Sequence, residues 1–268
     1  MKKIVFSKEQ IERMIYLNEH HYSYSAIAKE MGCCVDTIRA FFRKNNIVKT
    51  KNLINHDLNE NYFEIIDTEE KAYLLGLLIT DGSIRKGKDN HQDSLRLQLK
   101  IEDEYMIKRL KTELNSSNAI QYDKRPGKAC AGIEIRSQKI CDDLAKFQVV
   151  PNKTYILNNI RIDLIPQDLQ RHYLRGLVDG DGSIGIEESH SQPWLSFCGY
   201  NRDFIASFQK AIDDHFEIEN HNKISKSNAF HCKWKGSKKV PEILKWLYED
   251  ATIYLERKKK FYDLYKDR

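Results

Sequence analysis

One stretch of sequence occurs twice, about a hundred residues apart, and this duplication limits the folds open to the chain. The copies are residues 74–84, LLGLLITDGSI, and residues 174–184, LRGLVDGDGSI. Each begins as an apolar helix and ends in Asp-Gly, where a glycine in the left-handed conformation is a common way to close a helix. We therefore expect two similar helices, each with a carboxylate in its last turn.

Small residues recur four positions apart on one face of each predicted helix: Gly76, Thr80, Gly176 and Gly180. This spacing lets two helices approach closely, and if they do, Asp81 and Asp181 meet at one end of the interface. Because helix C-termini carry partial negative charge, we expect a positive group between the carboxylates. A pair of hard oxygen ligands is a site for Mg²⁺ or a similar cation. A single Asp-Gly would be only a turn signal, so the second copy carries the argument.

These residues resemble the motif of the LAGLIDADG homing endonucleases, in the single-chain form with two motifs, and the resemblance spans residues 60–265. It implies an α+β fold in which two pseudo-symmetric αββαββα halves form a saddle of antiparallel sheets, with the motif helices between them. It also implies that Asp81 and Asp181, at the eighth motif position, bind the catalytic metals. The first copy departs from the motif at Ile79, where Asp is usual, and at Thr80, which predicts a looser helix interface.

The rest of the chain repeats in the same way. Alternating and helical patterns after Asp81 predict, in order, a strand over 95–100, a helix over 103–114, a hairpin over 120–136 and a helix over 138–147. The series after Asp181 is a strand over 194–200, a helix over 202–212, a hairpin over 223–235 and a helix over 241–249. The sequence thus predicts one architecture used twice.

A lysine follows each half at a similar distance. Lys153 comes 72 residues after Asp81, and Lys258 comes 77 residues after Asp181. In the resembling family a lysine near this place reaches the active site, so Lys153 and Lys258 are candidate catalytic residues that stabilise charge near the scissile phosphate. Lys259 is an alternative to Lys258, and residues 257–260 also fit an ordinary solvated basic tail.

Positive charge is concentrated in the first fifty residues, which hold nine lysines and arginines against five acidic residues, a net +4 of the chain's +5. The segment predicts three short helices, with Ala28 where two helices cross, Gly32 in the turn and Ile38 anchoring the third helix. This pattern resembles the helix-turn-helix family, whose second motif helix lies in the DNA major groove. A three-helix bundle for protein contact is the alternative. Candidate DNA-binding residues are Thr37, Arg39, Arg43 and Lys44, the first two for bases and the last two for phosphates.

The predicted sheets have polar outer faces because apolar and polar residues alternate along their strands. The side chains expected to face DNA from the two halves are Arg96, Gln98, Lys100, Arg136, His231, Lys233 and Lys235. As in the resembling family, such faces read the major groove on both sides of a cleavage point. An ordinary solvated sheet face is the alternative for any one of them.

We assign residues 1–48 to a helix-turn-helix domain, 49–61 to a linker, 62–160 to the first half and 161–268 to the second. The six cysteines lack paired spacing, which favours reduced thiols over a zinc site at His231 and Cys232. The longest apolar run is too short to span a bilayer and no signal peptide is evident, so we expect an intracellular, cytoplasmic protein.

The predicted function is metal-dependent hydrolysis of double-stranded DNA by a monomer, with Mg²⁺ or Mn²⁺ held by the two aspartates and each half cutting one strand. The resemblance implies a long recognition site and short 3′ overhangs, and the asymmetry between the halves favours a non-palindromic target. The alternative is a nucleic-acid binder that does not cleave, either a transcriptional regulator or an intron maturase, which would bind RNA. An intein remnant is a weaker third reading, because no splicing motifs are visible.

Overall fold

The chain folds into two compact units, one within residues 1–57 and one within residues 58–268. The computed structural model describes residues 6–19, 24–48, 58–87, 92–123, 125, 127, 129–187, 192–219 and 223–266. Residues 49–57, most of the predicted linker, lie outside this described part. Among the described residues, no helix has the length and apolar character needed to cross a membrane.

The first unit contains three helices, α1 (Lys8–Glu19), α2 (Tyr24–Glu30) and α3 (Val35–Lys44). Their buried faces form a small core of Phe6, Met14, Leu17, Ile27, Ala28, Ile38 and Phe42. Gly32 joins α2 to α3 with a φ of 65°, a conformation that costs glycine little because it has no Cβ. The helices follow the predicted pattern, with Ala28 and Ile38 both buried.

The second unit consists of two halves with the same order of elements. The first half is α4 (Glu69–Thr80), β1 (Gly82–Arg85), β2 (Ser94–Lys100), α5 (Glu104–Glu113), β3 (Gln121–Asp123), β4 (Cys130–Arg136) and α6 (Gln138–Ala145). The second is α7 (Gln170–Asp181), β5 (Gly182–Glu187), β6 (Gln192–Gly199), α8 (Arg202–His215), β7 (Ser225–Lys226), β8 (Phe230–Lys235) and α9 (Lys239–Tyr248), followed by α10 (Glu256–Asp263). Each half is therefore αββαββα, as predicted.

The two four-stranded antiparallel sheets have matching topology, β1-β2-β4-β3 and β5-β6-β8-β7. Their inner faces are apolar because the strands alternate: Leu95 pairs with Ile135 and Leu97 with Ile133, and all four side chains are buried. In the second sheet Leu195 pairs with Trp234, and both are buried as well. The sheets and the helices that cover them enclose one continuous hydrophobic core around α4 and α7.

The ends of α4 and α7 differ from the prediction, because neither Gly82 nor Gly182 adopts a positive φ. Gly182 is extended, with φ −76° and ψ 157°, and each glycine is the first residue of a strand. The reason for glycine is space: a Cβ at Gly82 would lie 2.5 Å from the carbonyl oxygen of Leu78. A Cβ at Gly182 would likewise lie 2.9 Å from the Cα of Val178. The chain thus passes from helix to strand with no intervening loop.

Candidate functional site

The site begins with the packing of α4 against α7, which is closest at the small residues of the two sequence copies. A Cβ at Gly76 would overlap the carbonyl oxygen of Tyr173 and lie 2.9 Å from the amide nitrogen of Leu177. Gly176 occupies the pseudo-symmetric position on α7, where a Cβ would overlap the carbonyl oxygen of Tyr73. The backbones are therefore in contact, and any larger residue at either glycine must push the helices apart.

Thr80 and Gly180 face each other at the end of this helix interface. A Cβ at Gly180 would overlap the Thr80 hydroxyl and lie 2.9 Å from Oδ2 of Asp81. The larger Thr80 is accommodated because its partner is glycine, and its hydroxyl donates a hydrogen bond of 2.9 Å to the carbonyl oxygen of Leu77. The same packing brings the Asp81 carboxylate close to the main chain next to Asp181.

Asp81 and Asp181 converge where the two helices end. Burial and the negative charge of Asp181 raise the pKa of Asp81 to about 6, against the opposing charges of Arg257 and Lys153. Asp181 retains solvent exposure, yet the surrounding protein limits its solvation and raises its pKa, while Lys153 and Lys258 act in the opposite direction. Two neighbouring carboxylates that both resist ionisation form a favourable site for a divalent cation.

Each of the two candidate lysines contacts the main chain next to one of the aspartates. The Lys153 ammonium donates a hydrogen bond of 2.9 Å to the carbonyl oxygen of Thr80, and the Lys258 ammonium donates one to the carbonyl oxygen of Gly182. Their side chains are buried, at 7% and 8% exposure. Burial lowers the pKa of both, and the two aspartates oppose this shift at Lys153. Each lysine therefore places positive charge at the negative end of a motif helix.

Lys258 and Lys259, which the sequence left as alternatives, point in different directions. Lys258 is buried in the site, whereas Lys259 forms an ion pair of 2.9 Å with Asp263 and lies 5.1 Å from the ring centre of Tyr254. They diverge because both belong to α10, where consecutive side chains are about 100° apart around the axis. Of these two neighbours, the geometry brings Lys258 to the carboxylates.

The carboxylates open into a cavity of about 980 Å³. Its walls include the predicted residues Asp81, Gln98, Lys100, Asp181 and Lys258. They also include Glu102, Asp103, Ser183 and Arg257, which the sequence analysis did not single out. Arg257 entered the sequence prediction only as part of a possible solvated basic tail at residues 257–260, next to Lys258. Asp103 was predicted only as the first residue of a helix, which gave no indication that it lines the cavity.

The residues predicted to face DNA from the first sheet share its outer face. Arg96, Gln98, Lys100 and Arg136 are all exposed, opposite the buried leucines of β2 and isoleucines of β4. Arg96 donates a hydrogen bond of 3.2 Å to Oε1 of Gln98, whose amide in turn contacts Sγ of Cys130 at 2.5 Å. Glu134 lies across from Arg96 and adds an acidic group to this face.

The outer face of the second sheet carries His231, Lys233 and Lys235, on the opposite side from Cys232 and Trp234. Lys233 lies over the ring of Trp194 at 4.2 Å, and Lys235 is 3.6 Å from Glu187. His231 is half-buried, and its ring nitrogen Nε2 is 3.2 Å from the hydroxyl of Ser227. Both sheets thus present polar side chains of mixed length, with more basic than acidic groups among these positions.

In the first unit the four candidate DNA-binding residues lie along α3. Arg43 and Lys44 are exposed at its C-terminal end, and Thr37 is half-buried with its hydroxyl 3.1 Å from Sγ of Cys34. Arg39 is exposed but already donates to Asp36 at 3.0 Å and lies over the ring of Tyr24. These contacts with neutral and acidic neighbours leave Arg43 and Lys44 as the most accessible cationic pair on the helix.

The donor set at the helix ends fits a hard divalent cation. Mg²⁺ is commonly bound by one or two carboxylates, with water and substrate phosphates completing its coordination. The two aspartates meet this requirement, and no group of three or more histidine, cysteine or acidic side chains within metal-binding reach occurs among the described residues. A softer metal such as zinc, which prefers three or four protein ligands, has no such set there, including at Cys232.

Comparison with known proteins gives matches in structure only. No protein-family model and no curated protein matches the sequence. The meganuclease I-SmaMI, bound to uncleaveable DNA with a TTGT central four, is 14% identical with a TM-score of 0.50, over 73% of this chain and 89% of that one. A second I-SmaMI structure, bound to uncleaved DNA in the presence of calcium ions, is 13% identical with a TM-score of 0.48, over 75% and 90%. The LAGLIDADG homing endonuclease I-GzeII in complex with its DNA target is 15% identical with a TM-score of 0.49, over 73% and 88%.

Proposed function

We propose that this chain, which has the saddle fold of the single-chain LAGLIDADG homing endonucleases, is a site-specific DNA endonuclease that depends on a divalent metal. Its substrate is double-stranded DNA with a long, non-palindromic target, and its products carry short 3′ overhangs. The protein acts as a monomer in which each half cuts one strand. The fold alone does not establish an activity, so the proposal depends on the chemistry of the site.

One observation carries the proposal: two carboxylates converge at the ends of the paired motif helices, and each end has its own buried lysine. Asp81 and Asp181 line one cavity, with Oδ2 of Asp81 next to Gly180, while Lys153 and Lys258 each donate to the carbonyl oxygen of a residue next to one of the aspartates. A protein that only bound nucleic acid would gain nothing from raising the cost of ionising a buried carboxylate. The cluster is therefore better suited to hydrolysis than to binding alone.

Each residue has a distinct part in the proposed reaction. Asp81 and Asp181 would hold Mg²⁺ or Mn²⁺, which supplies Lewis-acid stabilisation of the charge that develops on the phosphate. Lys153 and Lys258 are fixed in place before substrate arrives, so their charges stabilise the transition state without reorganisation. The polar faces of the two sheets hold the duplex on either side of the cavity and read base edges in the major groove.

The first unit adds a second DNA contact in this proposal. We assign residues 1–48 to a helix-turn-helix domain, joined by residues 49–61 to halves at 62–160 and 161–268. Thr37 and Arg39 lie near the start of α3, where recognition helices contact bases, and Arg43 and Lys44 are placed for phosphates. Such a module would lengthen the recognised site beyond what the saddle contacts.

The test begins with a randomised library of double-stranded DNA, cut by the purified protein in Mg²⁺ or in EDTA, with sequencing of the ends. Recovery of one long motif with fixed staggered ends, only in Mg²⁺, supports the proposal and defines the target. Asp81→Asn and Asp181→Asn are then compared with Lys259→Met on that target. Both aspartate variants should retain binding and lose double-strand cleavage, whereas Lys259→Met, which alters a charge outside the site, should cut normally.

The alternatives give different results in the same experiment. If the protein retains a specific duplex but cuts nothing in Mg²⁺ or Mn²⁺, it is a DNA-binding regulator. If it prefers a structured RNA to every duplex, it is a maturase, and both aspartates should tolerate substitution. Unchanged cleavage by both aspartate variants would remove the metal assignment while leaving the nuclease.

A further inference from the structure

Arg257 bridges the two halves at the wall of the cavity. It belongs to α10 in the second half, and its Nε donates a hydrogen bond of 2.9 Å to Oδ2 of Asp103 in the first half. A terminal nitrogen of the same guanidinium is 3.3 Å from the carbonyl oxygen of Asp179. Asp103 is almost fully buried, and the Arg257 side chain keeps 30% of its surface exposed. The guanidinium is thus held firmly on one side and open on the other.

The exposed side of Arg257 faces the nuclease centre. Arg257 lines the same cavity as Asp81, Asp181 and Lys258. A guanidinium has five N–H donors in a fixed plane, and Asp103 and Asp179 accept from two of them within the described part of the chain. The remaining donors suit a phosphate oxygen, which arginine binds with the geometry of a fork.

The position before the lysine differs between the two halves. Arg257 immediately precedes Lys258, and the residue that immediately precedes Lys153 is Asn152, which is exposed and uncharged. Asn152 also adopts a left-handed conformation, with a φ of 57°, and leads into a short helical turn instead of a helix such as α10. At this position the second half carries a cation and the first half does not.

The charge of Arg257 is directed more to one carboxylate than to the other. It opposes the rise in the pKa of Asp81, whereas the cations that act on the pKa of Asp181 are Lys153 and Lys258. The arginine therefore reaches across the interface from the second half to the carboxylate of the first. Lys153 acts on both carboxylates and does not distinguish them, so what ties Arg257 to the Asp81 side is its hydrogen bond to Asp103 of the first half.

We propose that Arg257 is a phosphate-binding residue specific to one DNA strand, which it holds at the Asp81 side of the cavity. The inference rests on the proposed nuclease function and extends it, because it makes the two halves of the centre unequal. Loss of the arginine should slow cleavage of one strand more than the other. The protein should then accumulate nicked DNA, whereas loss of a merely structural bridge would slow both strands alike.

The test uses the target from the library selection, with a different fluorophore on each strand, cut under single-turnover conditions in Mg²⁺. Arg257→Met removes the charge and keeps the length, Arg257→Lys keeps the charge, and Lys259→Met is the matched control on the same helix. Arg257→Met should slow one strand by about 10²-fold more than the other, as for loss of one positioned donor at a transition state. Arg257→Lys should restore part of that rate, and Lys259→Met should match the wild type.

A second measurement separates this inference from the nuclease proposal. DNA binding is measured against salt concentration without a catalytic metal, where loss of one phosphate contact lowers the salt dependence by about one ion. Arg257→Met should show this decrease even if the wild type cuts neither strand, in which case the nuclease proposal fails and the phosphate contact stands. Equal slowing of both strands with a lower melting temperature, or no change in strand ratio and salt dependence, would overturn the assignment.

Discussion

A buried ion pair joins the two halves on the side of the helix interface away from the carboxylates, and breaking it should be costly. Nη2 of Arg175 is 2.6 Å from Oε1 of Glu69, and the arginine side chain is 0% exposed. Glu69 also accepts a hydrogen bond of 2.8 Å from the amide of Thr252. The first half has Leu75 where the second has Arg175, so this contact exists once and is not repeated by the pseudo-symmetry.

The expected magnitude follows from what each change leaves behind. Glu69→Gln leaves the guanidinium buried without its hydrogen-bonded counterion, and breaking such a pair typically costs about 3–5 kcal/mol. Arg175 also donates to the carbonyl oxygens of Leu247 and Ile253 at 2.8 and 3.0 Å, which offsets part of the loss. We therefore expect the free energy of unfolding to fall by about 2–3 kcal/mol. For a unit of this size that corresponds to a decrease of about 5–10 °C in melting temperature.

The assay is urea unfolding at pH 7.5 of the wild type, Glu69→Gln, Arg175→Met and the double variant. Removing both charges should restore about 1–2 kcal/mol relative to the sum of the single changes, because the pair then leaves no isolated charge. Strictly additive effects, or a Glu69→Gln variant within about 0.5 kcal/mol of the wild type, would refute this reasoning. Lys259→Met is a control, since its ion pair with Asp263 lies at the surface.

Three further outcomes follow from the same helix interface. Gly76→Ala adds a methyl group that overlaps the opposite backbone, so unfolding free energy should fall by about 2 kcal/mol despite alanine's better helix propensity, as measured by urea unfolding. Asp81→Asn should stabilise the protein in EDTA at pH 7.5 by up to about 3 kcal/mol, because the folded pKa of about 6 lies about two units above the ordinary value for aspartate. Melting curves should show this gain vanishing below pH 4, where the carboxyl is protonated in both states. Burial and Arg175 lower the pKa of His172 to about 4, so between pH 6.5 and 4 the unfolded chain binds a proton that the folded protein does not. The free energy of unfolding should therefore fall as the pH drops through this range, by at most about 1.4 kcal/mol per pH unit. Stability measured across the same range in His172→Gln should lack that slope.

Much of the fold could be predicted because its signals are local. A period of two along residues 95–100 identifies the buried face of β2 without knowledge of its partner strand. The repeated motif located both central helices and, through the position of the aspartates, the end at which they meet. The prediction about Gly82 and Gly182 was wrong because two different demands, a left-handed φ and a close approach to the preceding turn, both select glycine.

The parts that could not be predicted are contacts between residues far apart in sequence. Arg257 and Asp103 are 154 residues apart, and nothing in the composition of either segment connects them. Asp179 is similar: it accepts hydrogen bonds from Tyr73 at 2.7 Å and Tyr248 at 2.5 Å, an arrangement that replaces solvent for a fully buried carboxylate. Its counterpart Ile79 needs no such partners, so the two copies differ in a way that only packing accounts for.

By itself the sequence determined that there are two halves, which faces of their strands are buried, and which carboxylates meet, because periodicity and duplication act through neighbours along the chain. Tertiary structure decided which cations reach the carboxylates. Lys258 and Lys259 differ by one position, yet the turn of α10 buries one against Gly182 and directs the other to Asp263. Which of the two lysines enters the site depends on how α10 packs against the second half, because the sequence of the helix alone does not distinguish them.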